Sequence, residues 1–337
     1  MKKALKITLG VLASLVVAGA IFVTTYAPAQ RPAPEVTIEA TTEVVARGKY
    51  LVEHVTACTT CHGQRDFTRY AAPVKGTPGE GGECHGAEAG FPGTVCIPNI
   101  TPHDEAGIGR WSDGEILRAI REGVDRDGEV LFPMMPYESY RSVSDGDAQA
   151  IVAYLRTLPT SEATPPQQTA IDFPVSFFIK LAPAPVVEPV TAPPRDDEIA
   201  YGRYLATMAG CRFCHTPLDD QHQPIWDREM AGGHVHHTGH GQVVAPNLTP
   251  HTTGLKQDRR AFIAMFKSFA SPEAAAPVDP ADNTLMPWLA YAGMTEDDLG
   301  AIHAYLSSLP PIDTAVERHP GTSAVAKDAG VTEAAAR

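Results

Sequence analysis

The chain has 337 residues, of which 43% are hydrophobic and 7% aromatic, so it is long enough for two ordinary domains with packed cores. Its 28 glycines and 30 prolines indicate many loops. The net charge of −13 argues against nucleic acid as a partner. An acidic surface favours a partner with a basic patch, although acidity equally serves solubility alone.

The N-terminus carries a targeting signal. Three lysines within the first six residues precede an apolar stretch, Ile7 to Tyr26. This stretch has about 20 residues, enough to cross a bilayer and more than a signal-peptide core needs. A peptidase could cut within Ala27-Pro28-Ala29, although its proline is unfavourable. We therefore expect residues 1–29 to form an uncleaved transmembrane anchor, with a signal peptide as the alternative. Either way, the lysines stay on the cytoplasmic side and place the residues after 30 outside the cytoplasm. With the anchor uncleaved, we expect a single-pass protein of a bacterial inner membrane with the rest of the chain in the periplasm.

An internal repeat organises the rest of the chain. Four stretches recur at a spacing of 148 to 154 residues, which predicts two copies of one domain. The pairs are Arg47–Leu51 with Tyr201–Leu205, Pro98–His103 with Pro246–His251, Met135–Tyr137 with Met286–Trp288, and Ala153–Pro159 with Ala304–Pro310.

Each copy is predicted to be mainly α-helical. The first helix of each copy is expected over about Thr42–Ala57 and Asp197–Met208. A middle helix is expected to begin at Ser112, where a capping box stands. The last helices are expected to begin near Ser144 and Thr295. Gly48 and Gly202 interrupt the first helix of each copy, which predicts a close crossing with the last helix, against Tyr154 and Tyr305. The predicted segments are an anchor (1–29), a linker (30–41), domain 1 (42–160), a Pro-rich linker (161–196), domain 2 (197–311) and a flexible tail (312–337).

Two further segments are unusual. Phe173 to Ile179 is an apolar island within the Pro-rich linker and too short to span a membrane. We expect it to pack across both domains, with contact to a membrane surface or a partner as the alternative. The His-rich run Gly233 to His240 is interpreted as a mobile polar loop, with transition-metal binding as the alternative.

Two CxxCH motifs carry the chemistry of the chain. Two cysteines three residues apart can form thioethers to the vinyl groups of one haem, and the following histidine then binds the iron. A single such motif could instead bind zinc or act in redox exchange, but two copies at helix ends in an exported chain favour covalent haem c. The predicted haem-binding residues are Cys58, Cys61 and His62 at the first motif, and Cys211, Cys214 and His215 at the second.

A methionine is the predicted sixth ligand of each iron. Met134 and Met135 both lie downstream of the first motif, and the repeat aligns Met135-Pro136 with Met286-Pro287. Met135 and Met286 are therefore the expected ligands, and Met134 is expected to be packing. A thioether ligand raises the reduction potential of haem iron. The alternative, that both methionines only fill the core, does not explain the repeated Met-Pro pair.

Cys84 and Cys96 are the remaining cysteines, and they have no counterpart in the second copy. In an oxidising compartment we expect them to form a disulfide. Ligation of iron by one of the two thiolates is the alternative, although Met135 already fills that position. Cys84-His85 is not a third haem motif, because Gly81 stands where a cysteine would be needed.

The motifs together resemble class I cytochrome c domains of multihaem cytochrome c subunits in bacterial membrane-bound alcohol and gluconate dehydrogenases. The resemblance rests on the four stretches Arg47–His62, Asn99–Pro102, Gly107–Glu115 and Phe132–Tyr140. It covers most of residues 43–160 and, more loosely, 198–311. Those subunits usually have three haems, and this chain has two motifs. The resemblance implies that the Asn-Ile/Leu-Thr-Pro loops lie at the haem edge near the propionates, with Asn99, Thr101, Asn247 and Thr249 as the residues concerned.

An electron carrier is the function that this pattern favours. Two Met-ligated haems would pass electrons from a dehydrogenase or quinol-oxidising complex to a terminal oxidase or soluble cytochrome. A dihaem enzyme, such as a peroxidase or thiosulfate dehydrogenase, is the first alternative, but it would need an open iron site. A haem subunit with a structural role in a respiratory supercomplex is the second.

Overall fold

The computed structural model of the chain describes residues 2–26 and 30–320. The possible cleavage site Ala27-Pro28-Ala29 and residues 321–337 of the predicted tail lie outside the described residues. The first helix, α1, covers Lys2–Thr25. Its stretch Lys3–Val23 has a mean hydropathy of 2.2 and is not buried by the protein. A signal sequence has the same properties, so the anchor stays a prediction.

Residues 42–160, called the first half below, are mainly helical, as predicted. The helices are α2 (Thr42–Tyr50), α3 (Cys58–Cys61), α4 (Asp113–Glu122), α5 (Tyr137–Tyr140) and α6 (Asp145–Leu155). The strands are β1 (Gln64–Arg65), β2 (Val74–Lys75), β3 (Cys84–His85) and β4 (Gly93–Cys96). The predicted first helix is not one regular helix, because α2 continues as a π-helical turn over Leu51–Val55.

The linker and residues 197–311, called the second half below, follow. The linker contains β5 (Ala170–Ile171) and the short helix α7 (Val175–Phe178). The second half contains α8 (Glu198–Met208), α9 (Cys211–His215), β6 (Val235–Thr238), β7 (Gly241–Val244), α10 (Arg259–Lys267), α11 (Trp288–Tyr291) and α12 (Glu296–Ser308).

Side-chain caps explain where the predicted helices begin. Ser112 accepts a hydrogen bond from the amide of Glu115, and the Glu115 carboxylate accepts one from the Ser112 amide. This confirms the predicted capping box. Ser144 and Thr295 cap α6 and α12 in the same manner, each accepting from an amide three residues later.

The first and last helices of each half cross at a glycine. A Cβ added to Gly48 on α2 would lie 1.9 Å from the carbonyl oxygen of Ala150 on α6. A Cβ on Gly202 of α8 would lie 1.9 Å from the carbonyl oxygen of Ala301 on α12. The close crossing is therefore confirmed in both halves. Tyr154 contacts Gly48 as expected, but the atoms nearest to Gly202 belong to backbone rather than to Tyr305.

A small antiparallel sheet ties the linker to the first half. Its strand order is β3-β4-β5, and Cys84 faces Cys96 across the first pair of strands. These two cysteines form a disulfide, as predicted. Thr169, just before β5, donates its hydroxyl proton to the Cys96 carbonyl and accepts a hydrogen bond from the Cys96 amide.

The two halves share one hydrophobic core, which contains fully buried residues of both, such as Val52 and Leu205. Backbone hydrogen bonds also join a loop of the first half (residues 67–71) to one of the second (residues 275–283). Asn283 lies at the contact between these two loops and is 3% exposed. Its side chain donates to the carbonyls of Phe67 and Arg69 and accepts from the amide of Ala71.

The apolar island of the linker does not pack across both halves, so this expectation is wrong. Phe173 is 70% exposed and Phe178 is 57% exposed. Phe177 instead contacts Phe22 and Tyr26 at the end of α1. The peptide bond between Phe173 and Pro174 is cis.

Candidate haem-binding sites

Each CxxCH motif follows a residue with a left-handed backbone. Ala57 has φ 48°, and Gly210 has φ 69°. A residue in this region cannot continue a right-handed helix, so the chain turns and begins a new helical segment. In both places the carbonyl of this residue accepts a hydrogen bond from the second cysteine of the motif, Cys61 or Cys214. The turn thereby places both cysteines and the histidine on one short helical segment.

Each motif histidine is oriented by a proline carbonyl. The Nδ1 atom of His62 lies 2.9 Å from the carbonyl oxygen of Pro98, and that of His215 lies 2.8 Å from the carbonyl oxygen of Pro246. A carbonyl can only accept, so Nδ1 carries the proton and Nε2 is left with its lone pair. Burial lowers the pKa of His215 to about 4 and also lowers that of His62. Both rings are therefore neutral at pH 7, which is the form that binds iron.

The predicted Asn and Thr residues build the loops that carry these prolines. The Asn99 Oδ1 atom accepts from the amide and the hydroxyl of Thr101, at 2.8 and 2.7 Å. Its Nδ2 atom donates to two carbonyls in the chain after α6. Asn247 and Thr249 repeat this arrangement, with the carbonyl of Ile312 as the acceptor. These side chains thus fix the loops that present Pro98 and Pro246, and their contact with a haem stays a prediction.

Two glycines to which the sequence analysis gave no structural role lie beside the same loops. Gly81 has φ +64°, and an added Cβ would lie 2.5 Å from the carbonyl oxygen of Ile97. Gly232 has φ +72°, and an added Cβ would lie 2.5 Å from the Asn247 amide nitrogen. Their amides donate to the carbonyls of His62 and His215. The repeat spacing is the signal that would have identified them, since the two glycines occupy matching positions.

The four motif cysteines are not joined in disulfides. Cys58, Cys61, Cys211 and Cys214 are free thiols, although Cys84 and Cys96 are oxidised in the same chain. Burial raises the pKa of Cys58 to about 11 and that of Cys211 to about 12. Burial and, secondarily, the charge of Cys61 raise the pKa of Cys214 to about 12.

The two predicted methionine ligands lie in matching turns. The amide of the residue after each Met-Pro pair donates to the methionine carbonyl at 2.8 Å, from Tyr137 to Met135 and from Trp288 to Met286. Both methionines are partly buried against the hydrophobic core. The fully buried Tyr137 has a hydroxyl without a hydrogen-bond partner among residues 2–26 and 30–320.

The His-rich run forms a β-hairpin beside the second motif, so its interpretation as a mobile loop is wrong. Strands β6 and β7 pair over four residues, Val235 with Val244 through Thr238 with Gly241. The rings of His234 and His236 stack 4.2 Å apart, and each ring makes a hydrogen bond to a backbone carbonyl within the motif. Among the described residues, no three His, Cys, Asp or Glu side chains are grouped to hold a metal ion.

These features fit a covalently bound haem. Each site has two free thiols and a histidine with an available Nε2 atom. Each also has a methionine turn, and a glycine keeps the proline loop close to the motif. Cysteine, histidine and methionine are the side chains that attach and ligate haem c.

Comparison with known proteins supports this interpretation. Residues 45–159 match the family described as cytochrome c. The chain is 32% identical over 289 residues to the cytochrome c subunit of a quinone-dependent alcohol dehydrogenase from Gluconacetobacter polyoxogenes, covering 82% of this chain and 58% of the relative. It is 30% identical over 294 residues to the gluconate 2-dehydrogenase cytochrome c subunit of Pantoea cypripedii, covering 80% of this chain and 60% of the relative.

A third relative is a diheme cytochrome c-type protein of Cereibacter sphaeroides. It is 33% identical over 201 residues, covering 57% of this chain and 63% of the relative. The chain thus spans less than two thirds of the length of each of these three relatives.

Proposed function

Residues 45–159 form a cytochrome c domain homologous to the cytochrome c subunits of dehydrogenases, and from this premise we propose that the whole chain is a membrane-anchored dihaem electron carrier. The second half is then a second cytochrome c domain. The diheme relative and the repeated site geometry support two haems rather than one.

The residues of each site have separate roles in this proposal. Cys58 and Cys61 attach one haem through thioether bonds, and Cys211 and Cys214 attach the other. His62 and His215 ligate iron through Nε2, while Pro98 and Pro246 hold the rings in place. Met135 and Met286 would each supply the second side-chain ligand of their iron. The bound haem supplies a one-electron couple between ferric and ferrous iron.

One observation carries the proposal: the histidine of each motif makes the same bond to the proline of its repeated loop, at 2.9 and 2.8 Å. The repeated loops bring residues 31 to 36 positions apart in sequence into the same contact twice. A bond to Nδ1 fixes the ring tautomer and raises the basicity of Nε2 as an iron ligand. A zinc-bound histidine could make the same bond, but among the described residues no three His, Cys, Asp or Glu side chains are grouped to hold a metal ion.

The physiological role follows from the chemistry and the relatives. We infer that a dehydrogenase or quinol-oxidising complex reduces the protein and that a terminal oxidase or soluble cytochrome oxidises it. The names of the alcohol and gluconate dehydrogenase subunits support a dehydrogenase as donor. The net charge of −13 favours partners with a basic docking surface. Helix α1 would keep the haem domains at the periplasmic face of the inner membrane.

Low-temperature EPR of the oxidised, purified protein tests the proposal. We expect two low-spin ferric signals and the optical band of Met-ligated ferric haem. Met135→Ala and Met286→Ala should each convert one signal to high spin, while Met134→Ala leaves both unchanged. A high-spin signal in the unmodified protein would show an open iron site and would favour a dihaem enzyme such as a peroxidase. Only one haem per chain in a pyridine haemochrome assay would disprove the dihaem assignment.

A further inference from the structure

The linker exposes an apolar surface that its fold does not explain. The apolar segment, residues 173–181, comprises α7 and a 3-10 turn over Ile179–Leu181. Three of its large side chains are more than half exposed: Phe173 (70%), Phe178 (57%) and Leu181 (53%). Contiguous exposed apolar groups of this size mark a surface that contacts something else.

The position of α1 sets the depth of this segment relative to a membrane. The apolar stretch Lys3–Val23 has 21 residues. At about 1.5 Å per residue it matches the roughly 30 Å thickness of the hydrocarbon core. Phe22 is therefore at the boundary of that core. The ring of Phe177 lies 6.1 Å from that of Phe22 and 5.7 Å from that of Tyr26. A bilayer that accommodates α1 thus has the apolar segment at its outer boundary.

The chain on both sides of the segment contacts the first half. On its N-terminal side, β5 pairs with β4, which is joined to β3 by the Cys84–Cys96 disulfide. On its C-terminal side, Arg141 donates a hydrogen bond to the Ala182 carbonyl. A contact made by the segment is therefore transmitted to the domain that carries the first CxxCH motif.

We propose that the apolar segment is a second membrane contact, which inserts Phe173, Phe178 and Leu181 into the outer boundary of the lipid bilayer. Aromatic side chains are favoured at this depth. Lys180, within the segment, can extend its ammonium group towards lipid phosphates. A domain attached by one helix alone can rotate relative to the membrane, whereas a second contact fixes its orientation relative to the bilayer. The segment thereby determines which face of the haem domains is directed away from the membrane. This inference rests on the membrane anchoring in the proposed function.

Fluorescence quenching by brominated lipids tests the proposal on the full-length haem protein. The chain is reconstituted in phosphatidylcholine–phosphatidylglycerol vesicles, with or without bromine on the acyl chains. We expect Phe178→Trp to lose most of its added fluorescence in the brominated vesicles. Ile199→Trp is the matched control, because Ile199 on α8 is also exposed, at 50%, and it should be unaffected. Haem quenching is the same in both lipids and cancels. Phe173→Trp provides an independent second position.

The outcomes separate this inference from the proposed function. Flotation of the vesicles is measured first, and a chain that does not float with them contradicts membrane anchoring itself. If the chain floats but neither Phe178→Trp nor Phe173→Trp is quenched, only the second contact is disproved. The exposed apolar surface would then be assigned to a contact with a protein partner. Equal quenching of Ile199→Trp would also overturn the proposal, because the contact would not be specific to the segment.

Discussion

The hydroxyl of Tyr50, in the first half, donates a 2.6 Å hydrogen bond to the carboxylate of Asp298 in the second half. The same hydroxyl accepts a bond from the amide of Thr295, the N-cap residue of α12. Tyr204, in the second half, makes the equivalent pair of contacts to residues of the first half. It donates to Asp147 at 2.8 Å and accepts from the amide of the α6 N-cap at 3.1 Å.

This reciprocity means that the same surface of each half recognises the other. Each carboxylate also pairs with an arginine, Asp147 with Arg47 at 2.8 Å and Asp298 with Arg195 at 2.9 Å. Burial raises the pKa of Tyr50, and its bond to the Asp298 carboxylate raises it further. The phenol therefore stays protonated and remains a donor. Buried, charge-assisted hydrogen bonds of this kind give an interface a definite geometry.

Removal of either tyrosine hydroxyl should weaken the contact between the halves. Tyr50→Phe leaves the Thr295 amide and one oxygen of the buried Asp298 unpaired, so we expect a loss of about 1–3 kcal/mol in unfolding free energy. Tyr204→Phe should have a similar effect. Denaturant unfolding of the full chain measures both. Tyr305→Phe is the control, since its hydroxyl contacts Glu229 within the second half. In double-mutant cycles of unfolding free energy, Tyr305→Phe and Asp298→Asn should act independently, whereas Tyr50→Phe and Asp298→Asn should show a coupling energy. Absence of coupling between Tyr50 and Asp298 would contradict the interface argument.

The helix crossing gives a sharper test. In Gly48→Ala the new methyl group would overlap the Ala150 carbonyl, at 1.9 Å, and backbone cannot rotate away as a side chain can. We expect a loss of about 1–3 kcal/mol in thermal or denaturant unfolding. Gly146→Ala is the matched control, because Gly146 lies in α6 and a Cβ added there would have no atom within 4 Å. That variant should be neutral or gain up to about 1 kcal/mol from helix propensity. Equal stability of the two variants would contradict the close crossing.

The features that could be predicted from sequence are local or repeated. The cap at Ser112 and the crossing at Gly48 follow from residue types at fixed spacings, and both are confirmed. The hairpin of β6 and β7 was missed because His234 and His236 contact the second CxxCH motif, and residue types alone do not show this contact. The exposure of Phe173 was missed for a similar reason. Apolar composition predicts burial, but only the position of α1 shows which surface the segment faces.

The disulfide should stabilise the first half without affecting haem attachment. Loss of a cross-link across this loop is expected to cost about 3 kcal/mol in the chain-entropy description. The double variant Cys84→Ser/Cys96→Ser should therefore unfold at lower denaturant concentration, with unchanged haem content. Treatment of the unmodified chain with dithiothreitol should produce the same shift. The reductant should have no further effect on the double variant, and an additional shift there would show that it acts elsewhere.

Asn283 should couple the first half to the methionine turn of the second site. Its side chain makes three hydrogen bonds to the loop 67–71 and lies three residues before Met286. Asn283→Ala leaves those backbone groups unpaired in a buried position, at a cost of about 1–3 kcal/mol. We expect Met286 to dissociate from iron at a lower temperature.

In a Met135→Ala background only one Met-ligated haem remains, so its optical band reports Met286 alone. Gln223→Ala, at an exposed position of the same half, is the control. An unchanged transition in Asn283→Ala would mean that the second half holds its own ligand loop and that the contact between the loops serves packing alone.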